Sequence, residues 1–399
     1  MQRRALPLAQ ALVRRGHTVH LLLPPWSAPE DSGRCWEDEG VQVEHMVLPP
    51  QAPGLFHAAL TWRLGRRAFL LQPDVVHYFK PKAYPAFVAQ WGRLRRRLGL
   101  GAARLVLDTD DWEGPGGWNE REPYGWWARL LFAWQERWEL RRADAVTVAS
   151  RTLEALAWAT GARPDRVFYL PNGVLPLAAT RGDRVRMRER YALGDAPTLL
   201  LYTRFAEFGL DSLVEMMKQV VQRRADVRLL IVGRGLRGEE EKVLQLFRAS
   251  GLQESVRYAG FVDPQQIAAH FAASDLAIHP YDDTLINRTK CSVKLGELLA
   301  YGLPVVASAV GQNSEYIEHG VSGLLVPPGD VTGFAEAVLR LLAEPDLRRK
   351  LGGEARRRMA EQYSWDRLAG QAEVAYRSSQ ASAGASLLGC AGPCDRGTR

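Results

Sequence analysis

One stretch of the chain constrains the fold more than any other. Residues 290–328 read KCSVKLGELLAYGLPVVASAVGQNSEYIEHGVSGLLVPP. A helical pattern ends at Gly302, a short strand follows Pro304, and a second short helix leads to a strand that begins at Gly323. This order of helix, strand, helix and strand predicts a parallel α/β unit. Such sheets bind ligands beside the carboxyl ends of their strands, and helix N-termini favour phosphate, so the stretch also predicts a ligand site.

Strand-like and helical segments alternate through most of the 399 residues. Short apolar runs predict strands at 17–23, 74–77, 105–107, 143–148, 167–170, 198–202, 227–232, 256–258, 276–279, 305–307 and 323–326. Because a chain of this length exceeds one compact core, we expect two domains of parallel βαβ units. The N-terminal domain is assigned to 1–180, an Arg-rich linker to about 178–190, the C-terminal domain to 187–362, a last helix to 363–378, and a disordered tail rich in Ser, Ala and Gly to 379–399.

Composition narrows the classes of function. The sequence contains no run of about 18 uncharged apolar residues, so we expect no transmembrane helix. The four cysteines lack metal-ligand spacing, which favours a reduced, cytoplasmic chain without a bound metal. The net charge of +7 comes partly from Arg groups at 63–67 and 93–97, and it suits phosphate-bearing substrates or an anionic membrane. No nucleic-acid-binding motif accompanies these groups, so nucleic acid is excluded as a partner.

Several motifs together resemble those of a known family. In chain order they are PDVVHYFKP, PNGV, LLLYTRFAEFGLDSLVE, LLIVGRG, VRYAGFV, KLGELLAYGLPVVAS and GVSGLLVPPGD. Their order and separations resemble the retaining glycosyltransferases of family 4, or group 1, over about residues 2–375. The resemblance implies an α/β chain of GT-B architecture, with two Rossmann-like domains whose parallel sheets face across a cleft. It also implies a nucleotide-sugar donor on the C-terminal domain, an acceptor on the N-terminal one, and a last helix that crosses back to the N-terminal domain.

The resemblance further implies roles for the residues at matching positions. Glu297 would hold the nucleotide ribose, and Arg204 would face the donor diphosphate. The glycines Gly233 and Gly235 would form a strand-end loop near the nucleotide, and Phe261 and Val262 would flank its base. The reaction would need no metal and no cofactor, since the nucleotide sugar is a co-substrate. From the residues alone, Arg204 could instead be a surface charge and Glu297 a buried partner of an Arg.

The sequence departs from the family pattern at several positions. Thr289 stands where the family has a Glu, Phe208 where it has a Lys, and Asp110 where it has a His. We expect Lys290 or Lys294 to replace the lost cation as a phosphate ligand, although either could be a solvated helix charge. Family members also begin with a central strand and a Gly-rich turn before the helix that starts here at Gln2. We therefore expect the native chain to start earlier, or this sequence to be a fragment.

Candidate groups for the chemistry also follow from the residues themselves. Asp110 and Asp111 come directly after an apolar strand, and adjacent carboxylates there indicate acid/base work or hydroxyl binding; the alternative is a loop-ordering or capping role. His77 ends the preceding strand and is equally compatible with contacting an acceptor or packing in the core. Glu315, near the start of its helix, would accept sugar hydroxyls or complement the helix dipole.

Residues 126–138 read WWARLLFAWQERW, which predicts an aromatic helix with interspersed Arg side chains. Together with the Arg groups at 63–67 and 93–97, this helix favours an acceptor domain that rests on an anionic membrane surface. The alternative is a helix that packs its Trp side chains into the core. Trp is compatible with either environment because it combines a large apolar ring with one polar N–H group.

These observations lead to one function and one alternative. We predict a metal-independent glycosyltransferase of carbohydrate biosynthesis that moves a sugar from a nucleotide-sugar donor with retention of anomeric configuration. The acceptor would be lipid-linked, a glycan or a small molecule. The alternative is a catalytically inactive nucleotide-sugar-binding or scaffold protein of the same fold, which the departures at Thr289, Phe208 and Asp110 favour.

Overall fold

The computed structural model describes residues 3–26, 28–50 and 55–387, with side chains described up to residue 379. The chain divides into two compact α/β units. Unit 1 comprises the described residues up to Pro171 and those from Asp366 onward, and unit 2 comprises Asn172–Trp365. The boundary therefore falls about nine residues before the predicted end of the first domain at residue 180.

Among its described residues before Pro171, unit 1 contains seven strands. Its helices and strands are α1 (Ala5–Arg14), β1 (His20–Leu23), β2 (Cys35–Asp38), β3 (Val41–His45), α2 (Leu55–Leu70), β4 (Val75–Phe79), α3 (Ala83–Arg97), β5 (Arg104–Thr109), α4 (Trp118–Arg121), α5 (Trp126–Arg142), β6 (Ala145–Val148), α6 (Arg151–Thr160) and β7 (Val167–Tyr169). The sequence analysis missed β2 and β3, although the alternating Val41-Gln42-Val43 is typical of a strand with one buried face.

Unit 2 has the alternating order predicted for its part of the chain. Its elements are α7 (Arg181–Arg190), β8 (Thr198–Tyr202), α8 (Leu210–Arg223), β9 (Arg228–Val232), α9 (Glu239–Ala249), β10 (Val256–Gly260), α10 (Ile267–Ala272), β11 (Leu276–His279), α11 (Leu285–Thr289), α12 (Val293–Tyr301), β12 (Val305–Ser308), α13 (Asn313–Tyr316), β13 (Leu324–Val326), α14 (Val331–Ala343) and α15 (Pro345–Gln362). The long helix α16 (Trp365–Leu387) then ends the described chain.

The sheets are largely parallel, as the βαβ pattern requires. In unit 2, six parallel strands lie in the order β10-β9-β8-β11-β12-β13. Unit 1 has two separate sheets among its described residues: a parallel one ordered β4-β5-β6-β7, and a smaller one ordered β1-β3-β2 in which only β2 is antiparallel. The central strand β8 is apolar throughout its middle because helices cover both faces of such a sheet.

The predicted linker at 178–190 is wrong, because most of it is helix α7 of unit 2. Thr180 and Asp183 form a reciprocal capping box that satisfies the first backbone donors of this helix. Arg184 then donates to the backbone oxygen of Ala272 at 2.7 Å and pairs with Asp275 at 2.9 Å, which ties the helix to the unit. The polar side chains that suggested a linker belong instead to a helix on the surface of unit 2.

The last helix belongs with unit 1 by its contacts. Arg15 of α1 binds Glu373 of α16 through two hydrogen bonds of 2.7 and 2.9 Å, and Ala372 and Ala375 are fully buried. The helix extends to Leu387, nine residues into the tail for which disorder was predicted from residue 379. The alanines at 381, 383 and 385 favour helix, which the sequence analysis did not weigh. Residues 388–399 of that predicted tail lie outside the described residues.

Helices α3 and α5 of unit 1 are joined by a buried ion pair. Arg93 donates to both carboxylate oxygens of Glu139, at 3.1 and 2.7 Å, and to the hydroxyl of Tyr78 at 3.2 Å. The Tyr78 hydroxyl in turn donates to Glu139 at 2.5 Å. All three side chains are buried, so each charge depends on its partner for the hydrogen bonds that water would otherwise supply.

This pair yields a prediction for stability. In Arg93→Met, Glu139 would stay buried without its cation, and we expect the free energy of unfolding to fall by roughly 3–5 kcal/mol. The matched control is Arg97→Met, one turn later on the same helix, where the side chain is exposed and the change should stay within about 0.5 kcal/mol. Urea denaturation followed by circular dichroism measures both; equal effects of the two variants would contradict the assignment.

Candidate functional site

The strand order of unit 2 places a crevice at a defined point of its sheet. From β8 the chain proceeds outward to β9 and β10, then returns to place β11 on the other side of β8. The connections after β8 and β11 therefore diverge, and ligands of open α/β sheets bind at the carboxyl ends of such a strand pair. The residues directly after these strands, from Thr203 and from Pro280 onward, are the first candidates for a site.

The loop after β8 buries two Phe side chains and leaves the Arg that precedes them exposed. Phe205 and Phe208 belong to the core of unit 2, whereas Arg204 is exposed and makes no hydrogen bond or ion pair with the described residues. Phe205 has a φ of 63°, a conformation that is unfavourable for a bulky side chain. Such strain often accompanies a functional loop, and here it directs the Arg204 guanidinium away from the core.

Gly233 lies where the ends of three strands come together. Its N–H donates to the backbone oxygen of Gly260 at 2.8 Å, and a Cβ atom there would lie 1.8 Å from the oxygen of Thr203. No side chain fits, so the backbone after β9 can approach the neighbouring loops and any ligand beside them. The next glycine, Gly235, donates to the carboxylate of Glu240 at 2.9 Å, at the start of α9.

The two candidate lysines have different environments. Lys290 forms an ion pair with Glu207, a residue that the sequence analysis did not select. Burial would raise the pKa of Glu207, but the Lys290 charge holds it below its ordinary value. Lys290 is thus occupied by a protein carboxylate, which makes it a structural group that joins the loop after β8 to the segment before α12.

Lys294 is the lysine that remains available. It lies over the ring of Tyr202 at 5.1 Å and makes no hydrogen bond or ion pair with the described residues. Burial lowers the pKa of Lys294 to about 8, and the positive charge of Arg204 acts in the same direction. Glu297, one turn later on α12, raises it in part. Arg204 and Glu297 are therefore each close enough to Lys294 to affect its pKa, which brings the residues predicted to bind diphosphate and ribose into one group around Lys294.

Glu297 lies on a helix whose ends are well defined by the sequence. Ser292 caps α12 by accepting from the N–H of Leu295, and Gly302 ends it with a φ of 89°. Glu297 is only 6% exposed, and it lies among Leu295, Leu298 and Leu299, which are fully buried. A carboxylate accepts hydrogen bonds, and the hydroxyls of a bound ribose are suitable donors to it.

His279 is a further candidate residue that the sequence did not reveal. It ends β11, is 4% exposed, and its Nε2 atom has no hydrogen-bond partner among the described residues. Burial lowers the pKa of His279 to about 3, so the ring is neutral at pH 7. Its pKa also responds to Glu207, Lys290 and Lys294, which places it with them. A buried polar atom without a partner at this point is compatible with a hydrogen bond to a ligand.

The other predicted donor ligands differ in how far the structure supports them. Phe261 follows β10 with 75% of its surface exposed, and Val262 is half-buried. Glu315 is half-buried on α13, and its backbone oxygen accepts from Arg358 and Tyr363. The described contacts do not link the Glu315 side chain to Arg204, Lys294 or Glu297. Thr289, in place of the family Glu, is buried and donates to the backbone oxygen of Ile286 at 3.0 Å.

In unit 1 a second polar cluster lies at the carboxyl ends of β4 and β5. The Lys80 ammonium lies 3.6 Å from Asp110, 3.0 Å from Asp111 and 3.6 Å from Glu113. Burial would lower the pKa of Lys80, but these carboxylates raise it above its ordinary value, and Lys80 in turn lowers the pKa of Asp110. The pKa of Asp111 is raised, mainly by burial. Lys80 also has a φ of 73°, so the strand end is strained where the carboxylates converge.

The deeper part of this cluster rests on α5. Lys82 pairs with Glu113 at 2.6 Å, and the N–H of Glu113 donates to Glu136 at 3.3 Å. Glu136 is fully buried, and burial raises its pKa to about 8. It is therefore mostly protonated at pH 7. Lys80, Lys82, Glu113 and Glu136 were not selected from the sequence, although Lys80 lies three residues after the predicted strand 74–77, in the FKP motif.

His77 does not join this cluster. Its Nδ1 lies 2.9 Å from the hydroxyl of Tyr376 and its Nε2 lies 3.1 Å from that of Thr147, so both ring nitrogens are occupied. Burial lowers the pKa of His77 to about 4, and the ring is neutral at pH 7. These contacts fit the packing alternative for His77, and its assignment as a catalytic residue stays a prediction.

The described residues contain neither a group of side chains suited to a metal ion nor a membrane-spanning helix. In residues 3–26, 28–50 and 55–387, no three His, Cys, Asp or Glu side chains are grouped so as to hold a metal ion. None of the helices in that part of the chain is both apolar enough and long enough to span a membrane.

The contrast between the two lysines of unit 2 is testable by stability measurements. Lys290→Met would leave Glu207 buried without its cation, so we expect the free energy of unfolding to fall by roughly 3–5 kcal/mol. Lys294→Met removes a cation whose pKa is about 8 in the folded protein against an ordinary value of 10.5. Its stability at pH 7 should therefore equal or exceed that of the parent protein.

The environment of Lys294 also predicts how the stability of the protein depends on pH. Between about pH 8 and 10.5 the unfolded chain binds more protons at Lys294 than the folded one, so this residue makes stability rise with pH in that window. The difference between the parent protein and Lys294→Met should shrink accordingly as pH increases. Chemical denaturation at several pH values measures it; a difference that is constant with pH would contradict the environment assigned to Lys294.

Comparison with known protein families agrees with both units. Residues 1–173 match the family model described as "Glycosyl transferase 4-like domain", and residues 196–344 match "Glycosyl transferases group 1". Together the two models cover most of the chain; the second lies within unit 2, and the first ends two residues past the boundary at Pro171.

Individual relatives are similar over different lengths. The chain is 30% identical to a GDP-mannose-dependent alpha-(1-6)-phosphatidylinositol monomannoside mannosyltransferase of Mycobacterium tuberculosis, over 89% of this chain and 88% of the relative. It is 31% identical to the alpha-D-kanosaminyltransferase of Streptomyces kanamyceticus, over 61% of this chain and 63% of that protein, which is less than two thirds of its length.

Solved structures agree on the fold. A sucrose-phosphate synthase from Thermosynechococcus elongatus superposes with a TM-score of 0.71 at 21% identity, over 94% of this chain and 92% of its own. Anabaena HepE in complex with UDP gives 0.70 at 19% identity, over 94% and 95% of the two chains. These likenesses establish the GT-B fold class, with two Rossmann-like domains. On the family models and the mycobacterial relative, the chain belongs to the group 1, family 4-like glycosyltransferases.

Proposed function

We propose that this glycosyltransferase moves a sugar from a nucleotide-sugar donor bound by unit 2 to an acceptor hydroxyl, with retention of anomeric configuration and without a metal. The observation that carries the donor assignment is the grouping of Arg204, Lys294 and Glu297 at the switch point of the sheet. Two cations there make no hydrogen bond or ion pair with the described residues, and Lys290 is already neutralised by Glu207. Cations held ready in this way suit an anionic ligand.

The donor would use most of the residues selected from the sequence. Glu297 would accept the ribose hydroxyls, and Arg204 and Lys294 would hold the diphosphate. Because Gly233 and Gly235 have no side chain, the nucleotide could approach the backbone there closely. Phe261 and Val262 would lie beside its base. Glu315 would accept a hydroxyl of the transferred sugar. His279 is a further candidate, because its Nε2 atom offers a hydrogen bond where the other groups converge.

The reaction needs stabilisation of the leaving group more than it needs a nucleophile from the protein. The bond between the anomeric carbon and the diphosphate oxygen breaks, and the acceptor oxygen forms the new bond on the same face of the sugar. Negative charge grows on the departing diphosphate, where Arg204 and Lys294 would neutralise it. These two cations would take the part that a divalent metal has in other transferases, which is why we propose metal independence.

The acceptor would bind at the polar cluster of unit 1. There Lys80 and Lys82 face the carboxylates of Asp110, Asp111 and Glu113, so two positive charges meet three negative ones. Asp110 and Asp111 are partly exposed and can accept hydrogen bonds from hydroxyls. The lowered pKa of Asp110 keeps it ionised at pH 7, as an acceptor of the hydroxyl proton requires.

The partners and location are proposed at the level of class. The mycobacterial relative is named for GDP-mannose, and the HepE structure contains UDP, so we propose a nucleoside diphosphate sugar with guanine or uracil as the first bases to test. The acceptor is lipid-linked, a glycan or a small molecule. Two of the four cysteines, Cys35 and Cys291, form no disulfide among the described residues, which suits the proposed cytoplasmic location.

The donor site predicts nucleotide binding that depends on named side chains. UDP or GDP should raise the melting temperature of the protein, because the ligand binds only the folded state. Glu297→Gln and Arg204→Ala should each weaken nucleotide binding about 10- to 100-fold, since each removes charge-assisted hydrogen bonds of about 1.5–3 kcal/mol. Titration calorimetry measures the dissociation constants.

The control for the donor variants is Arg223→Ala. Arg223 is an exposed Arg at the end of α8 that pairs with exposed Glu336, so its loss should leave nucleotide binding unchanged. Binding that survives both Glu297→Gln and Arg204→Ala would remove the proposed donor site. Binding without any sugar transfer or donor hydrolysis would instead favour the inactive, scaffold-like alternative.

The acceptor cluster predicts a loss of transfer with donor binding intact. Asp110→Asn should lower the transfer rate at least about 100-fold, because it removes the proposed proton acceptor, while the dissociation constant for nucleotide stays unchanged. Glu30→Gln, an exposed carboxylate elsewhere in unit 1, serves as the control. Release of nucleoside diphosphate with a GDP-sugar or UDP-sugar donor reports the rate. An Asp110→Asn protein that retains full transfer would exclude this role.

A further inference from the structure

Helix α5 of unit 1 presents its polar side to the interior and its apolar side to solvent. Its fully buried face carries Gln135, Glu136 and Glu139. Its exposed face carries large apolar side chains, namely Trp126, Trp127, Leu130, Leu131 and Trp134. Trp127 is 70% exposed and Leu130 is 60% exposed. The sequence had left open whether these Trp side chains fill the core, and they do not.

The interior contacts explain why the helix cannot simply turn over. Gln135 accepts from the backbone N–H of Ala83 at 2.8 Å, and Glu136 accepts from that of Glu113. Glu139 is held by Arg93 and Tyr78. A rotation that hid the Trp side chains would break each of these bonds and leave buried polar groups without partners. The outward Trp and Leu side chains are therefore a fixed property of this unit.

The exposed apolar face continues into a groove with the neighbouring helix α3. The groove has a volume of about 220 Å³ and is lined by Gln90, Arg93, Leu94, Arg97, Trp134 and Trp138. Leu94 is more than half exposed at its edge. An apolar surface that spans two helices is larger than the isolated apolar side chains normal for a soluble protein, and such surfaces mark interaction sites.

All exposed charges on these two helices are positive. Helix α3 contains no acidic residue, and the two acidic residues of α5, Glu136 and Glu139, are buried. Arg97 and Arg137 are exposed and form no ion pair or hydrogen bond with the described residues. Positive charges beside exposed Trp and Leu side chains match a surface that is negative outside and apolar beneath, which is the surface of an anionic lipid bilayer.

We propose that the exposed face of α5, with the adjoining end of α3, binds the surface of an anionic membrane. The Trp and Leu side chains of α5 enter the headgroup region, where Trp is favoured because its ring is apolar and its N–H is polar. Arg97 and Arg137 contact lipid phosphates. The helix lies along the surface, because its buried face stays bound to unit 1 through Gln135, Glu136 and Glu139.

A second copy of this chain is a poorer occupant of the same face. A symmetric dimer brings the same patch of both subunits together, so Arg97 and Arg137 would meet their own copies. Like charges in an apolar contact are unfavourable, and the described surface of α3 and α5 offers no acidic residue to offset them. The charge pattern thus favours lipid.

Flotation of the full chain with vesicles tests the proposal. The protein should float with vesicles of phosphatidylcholine and phosphatidylglycerol and not with phosphatidylcholine alone. The double variant Trp127→Ser, Leu130→Ser should lower the bound fraction at a given lipid concentration at least about tenfold, since it removes two inserted apolar side chains. Arg97→Gln with Arg137→Gln should weaken binding to anionic vesicles and reduce its dependence on salt.

The matched control is Leu175→Ser in unit 2, another exposed leucine, at 49%, which should leave flotation unchanged. Circular dichroism checks folding, and exposed substitutions of this kind cost little stability. Equal flotation of the parent protein and the Trp127, Leu130 variant would overturn the proposal. A dimer in solution that the same variant dissociates, without vesicle binding, would assign this face to a second copy. No donor or acceptor is present, so either result is independent of the proposed function.

Discussion

The ion pair between Glu207 and Lys290 is the interaction on which the candidate donor site depends. Glu207 belongs to the loop after β8, and Lys290 precedes α12, so the pair joins the two connections that diverge at the switch point of the sheet. The backbone oxygen of Glu207 also accepts from Asn287 at 2.7 Å. Because the pair is buried, removing either partner would leave a charge without compensation. The carboxylate therefore neutralises one lysine, whereas the other, Lys294, is the one proposed to bind the donor.

The two units use charge in different ways. In unit 2, Arg204 and Lys294 lie close together without a carboxylate bound to either, and burial with mutual repulsion lowers the pKa of Lys294 to about 8. Such an arrangement is unfavourable in the empty protein and is relieved by an anion, which links the cost in stability to the proposed binding. In unit 1 the Lys80 cluster compensates itself with nearby carboxylates, and suits hydroxyl groups better than phosphate. Glu136 of α5 belongs to this same cluster, and together with Gln135 and Glu139 it holds the apolar face of the helix outward.

Much of the fold was evident in the sequence, and the failures have identifiable causes. Strands buried on both faces, such as 198–202 and 276–279, were located to the residue because a short, continuous apolar run between turn signals is typical of a buried strand. The linker prediction failed because an exposed helix stabilised by a capping box and Arg contacts resembles a polar loop in composition. The small strands β2 and β3 were missed because one face of each is polar. In the site, Glu297 and Arg204 were found through motifs, whereas Glu207 and His279 depend on contacts between segments more than 70 residues apart.

By itself the sequence determined the type and order of most elements, the family resemblance, and the candidate residues at the ends of strands. Local periodicity and short motifs carry that information, since each depends on neighbours along the chain. Tertiary structure decided which of two similar lysines is neutralised, that both nitrogens of His77 are occupied in the packing, and which side of α5 faces solvent. These outcomes depend on burial and on partners distant in sequence. A charge or an aromatic ring acquires its role only when folding sets what surrounds it.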